Sequence, residues 1–145
     1  MTPADFKTIR ESLGLSAQWL ADAVGVDQRT VRRWEDGVLP LRTDVVALLT
    51  QLDKQMDADV TAELARITAE LAPDQGGATD VDQLLASLTP QSWPTTTVPR
   101  VDTDVDDPST TGRPLPAAFY RAAAGRLRWA LDGRLRITYT AATGS

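Results

Sequence analysis

The run Gln28-Arg29-Thr30-Val31-Arg32-Arg33 carries the side chains best suited to chemistry in this chain of 145 residues. An arginine can donate two bonds at once to guanine O6 and N7, and a glutamine can do the same with adenine N6 and N7. On a helix, Arg29, Arg32 and Arg33 fall on one face, with Val31 and Trp34 turned away from it. That face is either a solvated surface or one that meets the base edges of a duplex. Other chemistry has little to work with. There is no cysteine and no histidine, so the usual general base, thiolate nucleophile and commonest metal ligands are missing. Asp102-x-Asp104-x-Asp106-Asp107 has the opening of a calcium loop, but Asp107 stands where the loop needs glycine and Arg113 where it needs glutamate. A hydrated acidic loop is the expectation there. No nucleophile–base constellation or phosphate loop is present, so no enzymatic activity, cofactor or metal is expected.

Short helices must position the arginines. Thr2-Pro3-Ala4-Asp5 is a helix start: a capping hydroxyl, proline at the first turn, and a carboxylate at the positive end of the helix dipole. Phe6, Ile9, Arg10 and Leu13 follow at helical spacing, and Gly14 can close that helix in the left-handed conformation. Ser16 caps a second helix with Leu20, Ala21 and Val24 inward; Gly25 supplies a turn; Asp27 caps a third helix, which Gly37 stops. Two short helices about a glycine turn, the second presenting arginines, form the layout that lays the second helix in a major groove.

Further on, Val45, Leu49, Leu52, Met56, Val60, Leu64, Ile67 and Leu71 form a nearly unbroken apolar stripe over 43–71. It fits either one helix of roughly 40 Å, at ~1.5 Å per residue, or two helices with a break near Asp57–Asp59. The distal half either closes the fold or meets a second subunit. Pro73–Asp80 is a linker, residues 80–88 a short helix, and Thr95–Val101 a strand that Pro99 confines to an edge or bulge. Residues 102–114 form an acidic loop, and 116–131 a helix. Arg134–Thr140 alternates as a half-buried strand with Leu135, Ile137 and Tyr139 on one face and Arg134 and Arg136 on the other. Residues 141–145 are expected to fray.

The net charge of −5 divides unevenly: −1 over residues 1–45, −9 over 46–112 and +5 over 113–145. Such a chain should rely on a few placed arginines more than on diffuse attraction to phosphate. The C-terminal arginines (Arg113, Arg121, Arg126, Arg128, Arg134, Arg136) are either solvated and paired with the acidic middle, or a second surface for RNA or a protein partner. No apolar run reaches the ~20 residues of a membrane span, and no signal-peptide pattern opens the chain; a cytoplasmic protein of a bacterial cell is the expectation.

Residues 6–37 resemble the Cro/C1-type helix-turn-helix repressors of phages and bacteria. The matching positions are Arg10, Leu20-Ala21, Gly25-Val26, Thr30-Val31 and Glu35-x-Gly37. More loosely, Trp34-Glu35-Asp36-Gly37, the loop through Pro40 and the Val45-Val46 helix are similar to regulators associated with anti-CRISPR operons, which add a C-terminal dimerisation part. The resemblance implies base reading by Gln28, Arg29 and Arg33 with Arg32 on the rim, phosphate contacts from Thr30 and Arg42, and a structural Arg10–Glu35 pair. The family often places a phosphate-binding glutamine directly after the cap of the second helix. Here Ala17 occupies that place, and Gln18 is the candidate instead. Trp19 is also unusual, at a position that is generally polar and outward, and is expected against the C-terminal part or a partner.

The expected fold is mainly α: a five-helix helix-turn-helix domain (1–72), a linker with a short helix (73–94) and a small α+β dimerisation domain (95–145). One helix and two short strands hold too little core to stand alone, so Phe119, Ala123, Leu127, Leu131, Leu135, Ile137 and Tyr139 are expected to form core or a seam with an identical copy. The expected function is a homodimeric repressor on a double-stranded DNA operator, autoregulating its own operon. A ring-forming phage packaging protein and an antitoxin with a partner-folded tail are the alternatives.

Overall fold

In the computed structural model, which describes residues 1–72, 80–105 and 113–141, α1 (Pro3–Ser12) opens on a reciprocal cap. The Thr2 hydroxyl accepts from the Asp5 amide at 3.0 Å, and the Asp5 carboxylate accepts from the Thr2 amide at 2.9 Å. The bond from the Thr2 amide, and after it the Thr2 hydroxyl, holds the Asp5 carboxyl below its ordinary range. Ser16 caps α2 (Ala17–Val24), accepting from the Trp19 amide at 2.9 Å, and Gly25 closes it at φ +71°. Asp27 caps α3 (Gln28–Glu35), accepting from the Arg29 amide at 2.7 Å.

α4 (Thr43–Leu71) runs 29 residues without interruption, about 43 Å at ~1.5 Å per residue. The alternative with a break near Asp57–Asp59 is therefore overturned, and residues 1–72 hold four helices instead of five. The cause is a second helix alongside. α5 (Val81–Ser87) and β1 (Thr95–Val98) lead to α6 (Ala117–Ala130), which lies along α4, and then to β2 (Arg136–Tyr139). Ala124 is buried and Ala122 and Ala123 are half-buried, so small side chains line the part of α6 that approaches α4. The strands pair in parallel, Thr95 opposite Arg136 through Val98 opposite Tyr139. Parallel neighbours need a long crossover, and α6 lies within it. The molecule is thus mainly helical with a small two-stranded sheet near its C-terminus.

Two apolar clusters lie against α4. The first joins Phe6, Leu20, Val31 and Trp34 to Val45, Leu49, Leu52 and Met56, and also takes in Leu115 and Phe119 from the C-terminal section. The second joins Ile67 to Leu85, Leu127, Leu131 and Leu135, with Val60 and Leu64 beside them. The C-terminal section therefore completes its core on the long helix and the N-terminal helices of its own chain. The junction is tight at Gly14 (φ +69°): a Cβ there would lie 2.3 Å from the Ala118 carbonyl oxygen, so only glycine admits the first turn of α6. Trp19 packs there too, its Nε1 donating to the Pro114 carbonyl at 3.1 Å.

The last strand departs from its pattern. Leu135 is buried, but Ile137 and Tyr139 are exposed. Among the described residues β2 pairs only with β1, and all four of its residues are exposed. The Arg100 guanidinium sits 4.7 Å from the centre of the Tyr139 ring. In the acidic stretch, Asp102 accepts from the Ala117 amide at 2.8 Å and so caps the start of α6. Its continuation through Asp106 and Asp107, the centre of the expected linker (73–79) and residues 142–145 lie outside the described residues.

Candidate nucleic-acid interface

The exposed face of α3 begins with what lies behind it. Val31 and Trp34 are fully buried, and Trp34 meets Phe6 edge-on, ring centres 6.2 Å apart. A second anchor is ionic. Arg10 Nε donates to Glu35 Oε1 at 2.6 Å and Arg10 Nη1 to the Leu15 carbonyl at 2.6 Å, with both side chains almost wholly buried. One guanidinium thereby ties α1, the α1–α2 turn and the C-terminal end of α3 together. Among the described residues no buried side-chain polar atom lacks a partner, so this pair is satisfied.

With that side fixed, α3 presents the other to solvent. Arg29, Arg32 and Arg33 are exposed, Gln28 and Thr30 half-buried. Among the described residues, neither the Arg29 nor the Arg33 side chain has a hydrogen-bond acceptor or ion-pair partner, whereas Arg32 Nη1 lies 3.7 Å from Glu35 Oε2. Two free guanidinium forks on a rigid helix can each grip a planar pair of acceptors without first breaking an internal bond.

The candidate phosphate groups stand differently. Gln18 Nε2 donates to Asp22 at 2.8 Å, one helical turn on. Arg42 is held by both oxygens of Asp44, Nε at 3.0 Å and Nη2 at 2.6 Å. These hydrogen bonds from Arg42 keep the Asp44 carboxyl below the usual carboxylate range. Contact with a phosphate would therefore be an exchange of anions for both residues. Asp22 and Asp44 are the members of this surface that the sequence reading did not single out, although their spacings from Gln18 and Arg42 are local and legible. Arg113 was unforeseeable in that role: it reaches within 3.8 Å of Asp22 from the far end of the chain.

The residues expected at a subunit seam divide. Phe119, Leu127, Leu131 and Leu135 are buried inside one chain, so they are core here and present no surface to a copy. Ala123 is half-buried in a cavity of about 290 Å³ between α4, β1 and α6. Ile137 and Tyr139 remain exposed.

The basic C-terminal section is largely engaged within the chain. Arg126 bridges Asp53 at 2.9 Å and Asp57 at 2.6 Å; burial works against its charge, but these two carboxylates outweigh it and raise its pKa. Arg121 donates to the carbonyls of Pro99 and Arg100, Arg136 to that of Pro90, and Arg134 pairs with Asp132. No cluster among the described residues could hold a metal ion, and no helix among them is long and apolar enough to cross a membrane.

Residues 4–64 match a family model described as a helix-turn-helix domain. The match spans α1 to α3 and most of α4, and it supports DNA as a partner of the chain. No curated protein matches the chain.

Proposed function

We propose that this chain is a sequence-specific transcriptional repressor that binds an inverted repeat as a homodimer and regulates its own phage or bacterial operon. One observation carries the base-reading part. Among the described residues Arg29 and Arg33 project unpaired from α3 while Val31 and Trp34 lock its opposite side into the core. In this reading Gln28, Arg29 and Arg33 meet base edges, Arg32 flanks them, and Gln18, Thr30 and Arg42 hold the backbone. Each good bidentate contact contributes about 1–3 kcal/mol of discrimination. Two copies of α3, one helical turn apart on the duplex, would occupy successive major grooves with half-site centres ~34 Å apart. Occupancy then blocks transcription. The repressor role and autoregulation rest on the resemblance to Cro/C1-type repressors. The packing of α6 onto α4 weighs against an antitoxin-like tail that folds only on a partner. The internal pairing of Arg121, Arg126 and Arg134 weighs against a separate RNA surface.

Selection of binding sites from random duplex DNA at near-physiological salt tests the proposal. Enrichment of a symmetric site with the stated half-site spacing is expected. Absence of any enriched sequence would overturn it.

A further inference from the structure

Trp129 is 88% exposed, the most exposed of the large apolar side chains. It stands on the outer face of α6, two residues from each of Leu127 and Leu131, which face the core. A lone exposed indole is costly to keep in water, since an aromatic of this size buries ~150–250 Å² when covered. Beside it lies an open hollow of about 610 Å³ lined by Gly125, Arg128, Asp132 and Gly133, with Trp129 itself as one wall. Gly125 is one turn before Trp129, and a Cβ there would meet nothing within 4 Å, so the floor of the hollow is bare backbone. Asp132 (φ +52°) and Gly133 (φ +79°) turn the chain sharply away and leave this end of the helix uncovered.

The charges around the indole complement one another. Arg128 has no ion-pair or hydrogen-bond partner among the described residues, which distinguishes it from Arg121, Arg126, Arg134 and Arg136 nearby. Asp132, four residues on, is exposed and, among the described residues, shares its charge only with Arg134 at 2.7 Å. A knob, an adjacent hole, a free cation and an exposed anion on one patch meet the requirement of an isologous contact, in which the same surface serves both partners.

We infer that the occupant is a second copy of this chain, related by a two-fold axis, with each Trp129 seated over Gly125 of the other subunit and each Arg128 facing the other Asp132. The inference rests on the dimeric reading above and gives it a surface that the buried leucines cannot supply. The contact is small beside a standard interface of ~1,600 Å², so the free dimer is weak and adjacent half-sites on DNA reinforce it.

Sedimentation equilibrium of the full chain, with Trp129→Ala and Gly125→Gln, tests this. The wild type is expected to form a reversible monomer–dimer pair. Both substitutions should raise the dissociation constant tenfold or more. Gly125→Gln is the sharper variant: it replaces a helical glycine where nothing obstructs a side chain, so the monomer gains thermal stability while the hollow is filled. A merely structural role for Gly125 predicts no change in association. A wild type that stays monomeric at every concentration reached, a larger ring, or variants that associate as tightly as wild type would each overturn the proposal. Binding to a single half-site duplex, measured in parallel, separates the two readings. Loss of sequence preference there with association intact removes the DNA reading and leaves this interface standing.

Discussion

α3 and the C-terminal section both carry arginines, yet they are different kinds of surface. From 113 to 145 there are six arginines and one aspartate, which by charge alone makes this the basic end of the molecule. Folding spends most of that charge inside the chain: Arg126 holds two α4 carboxylates, and Arg121 and Arg136 hold carbonyls. α3 belongs to a region of net charge −1, and two of its guanidinium groups have no partner among the described residues. The two surfaces therefore differ in which cations are available to a partner, which charge totals do not show.

The largest expected effect comes from the arginine that is most fully engaged. Arg10→Ala leaves the buried Glu35 with only the looser Arg32 contact at 3.7 Å and should cost about 3–5 kcal/mol of stability, measured by urea unfolding. Replacing both members, Arg10→Met with Glu35→Leu, should recover much of that loss, because no unpaired charge then remains. A small loss from Arg10→Ala alone would show that solvent reaches Glu35 and that the pair is not an anchor.

Arg29→Ala and Arg33→Ala should behave in the opposite way. Each is expected to reduce base discrimination by about 1–3 kcal/mol and to leave the free energy of unfolding within about 0.5 kcal/mol of wild type. Competition between selected and scrambled duplexes measures the first, urea unfolding the second. Arg126→Ala sharpens the contrast. It unties α6 from Asp53 and Asp57, so stability should fall by about 1 kcal/mol, the range for partly exposed pairs, with half-site binding unchanged. A drop in half-site affinity for Arg126→Ala would erase the distinction between the two surfaces.

Much of this was legible in the sequence, and the reasons are local. Thr2, Ser16 and Asp27 name three helix starts because capping is decided within a few residues. The buried face of α3 follows from the spacing of Val31 and Trp34. Contacts between distant segments could not be read this way. Periodicity describes Thr43–Leu71 equally well as one helix or two, and the choice fell to α6, which packs along it although it begins 46 residues further on (Leu71 to Ala117). The Leu127–Leu131–Leu135 series is apolar for the same reason a dimer seam would be, and only the fold shows that Ile67 and Leu85 already cover it. Strand alternation placed Ile137 with Leu135, but burial of a strand face needs a second layer, and that layer stops short of Ile137.

The smallest effect tests the line between free and engaged cations at its edge. Arg42 is assigned to phosphate, yet Asp44 holds it through two hydrogen bonds. A phosphate must displace that carboxylate, and because phosphates carry no sequence information, the penalty falls equally on all duplexes. Asp44→Asn should therefore tighten binding to selected and scrambled DNA alike by roughly two- to fivefold, the scale of an exposed ion pair. It should also steepen the fall of log affinity with log salt by up to about 0.9, one more phosphate neutralised. Acid would have the same effect only far below neutrality. The folded Asp44 carboxyl titrates below its ordinary 3.8, so the pair is complete above that value and is lost as pH falls through the lowered one. Affinity through this residue should accordingly be flat between pH 5 and 8. If Asp44→Asn binds no more tightly than wild type while Arg29→Ala has lost discrimination, Arg42 lies off the phosphate track and the engaged cations take no part in the complex.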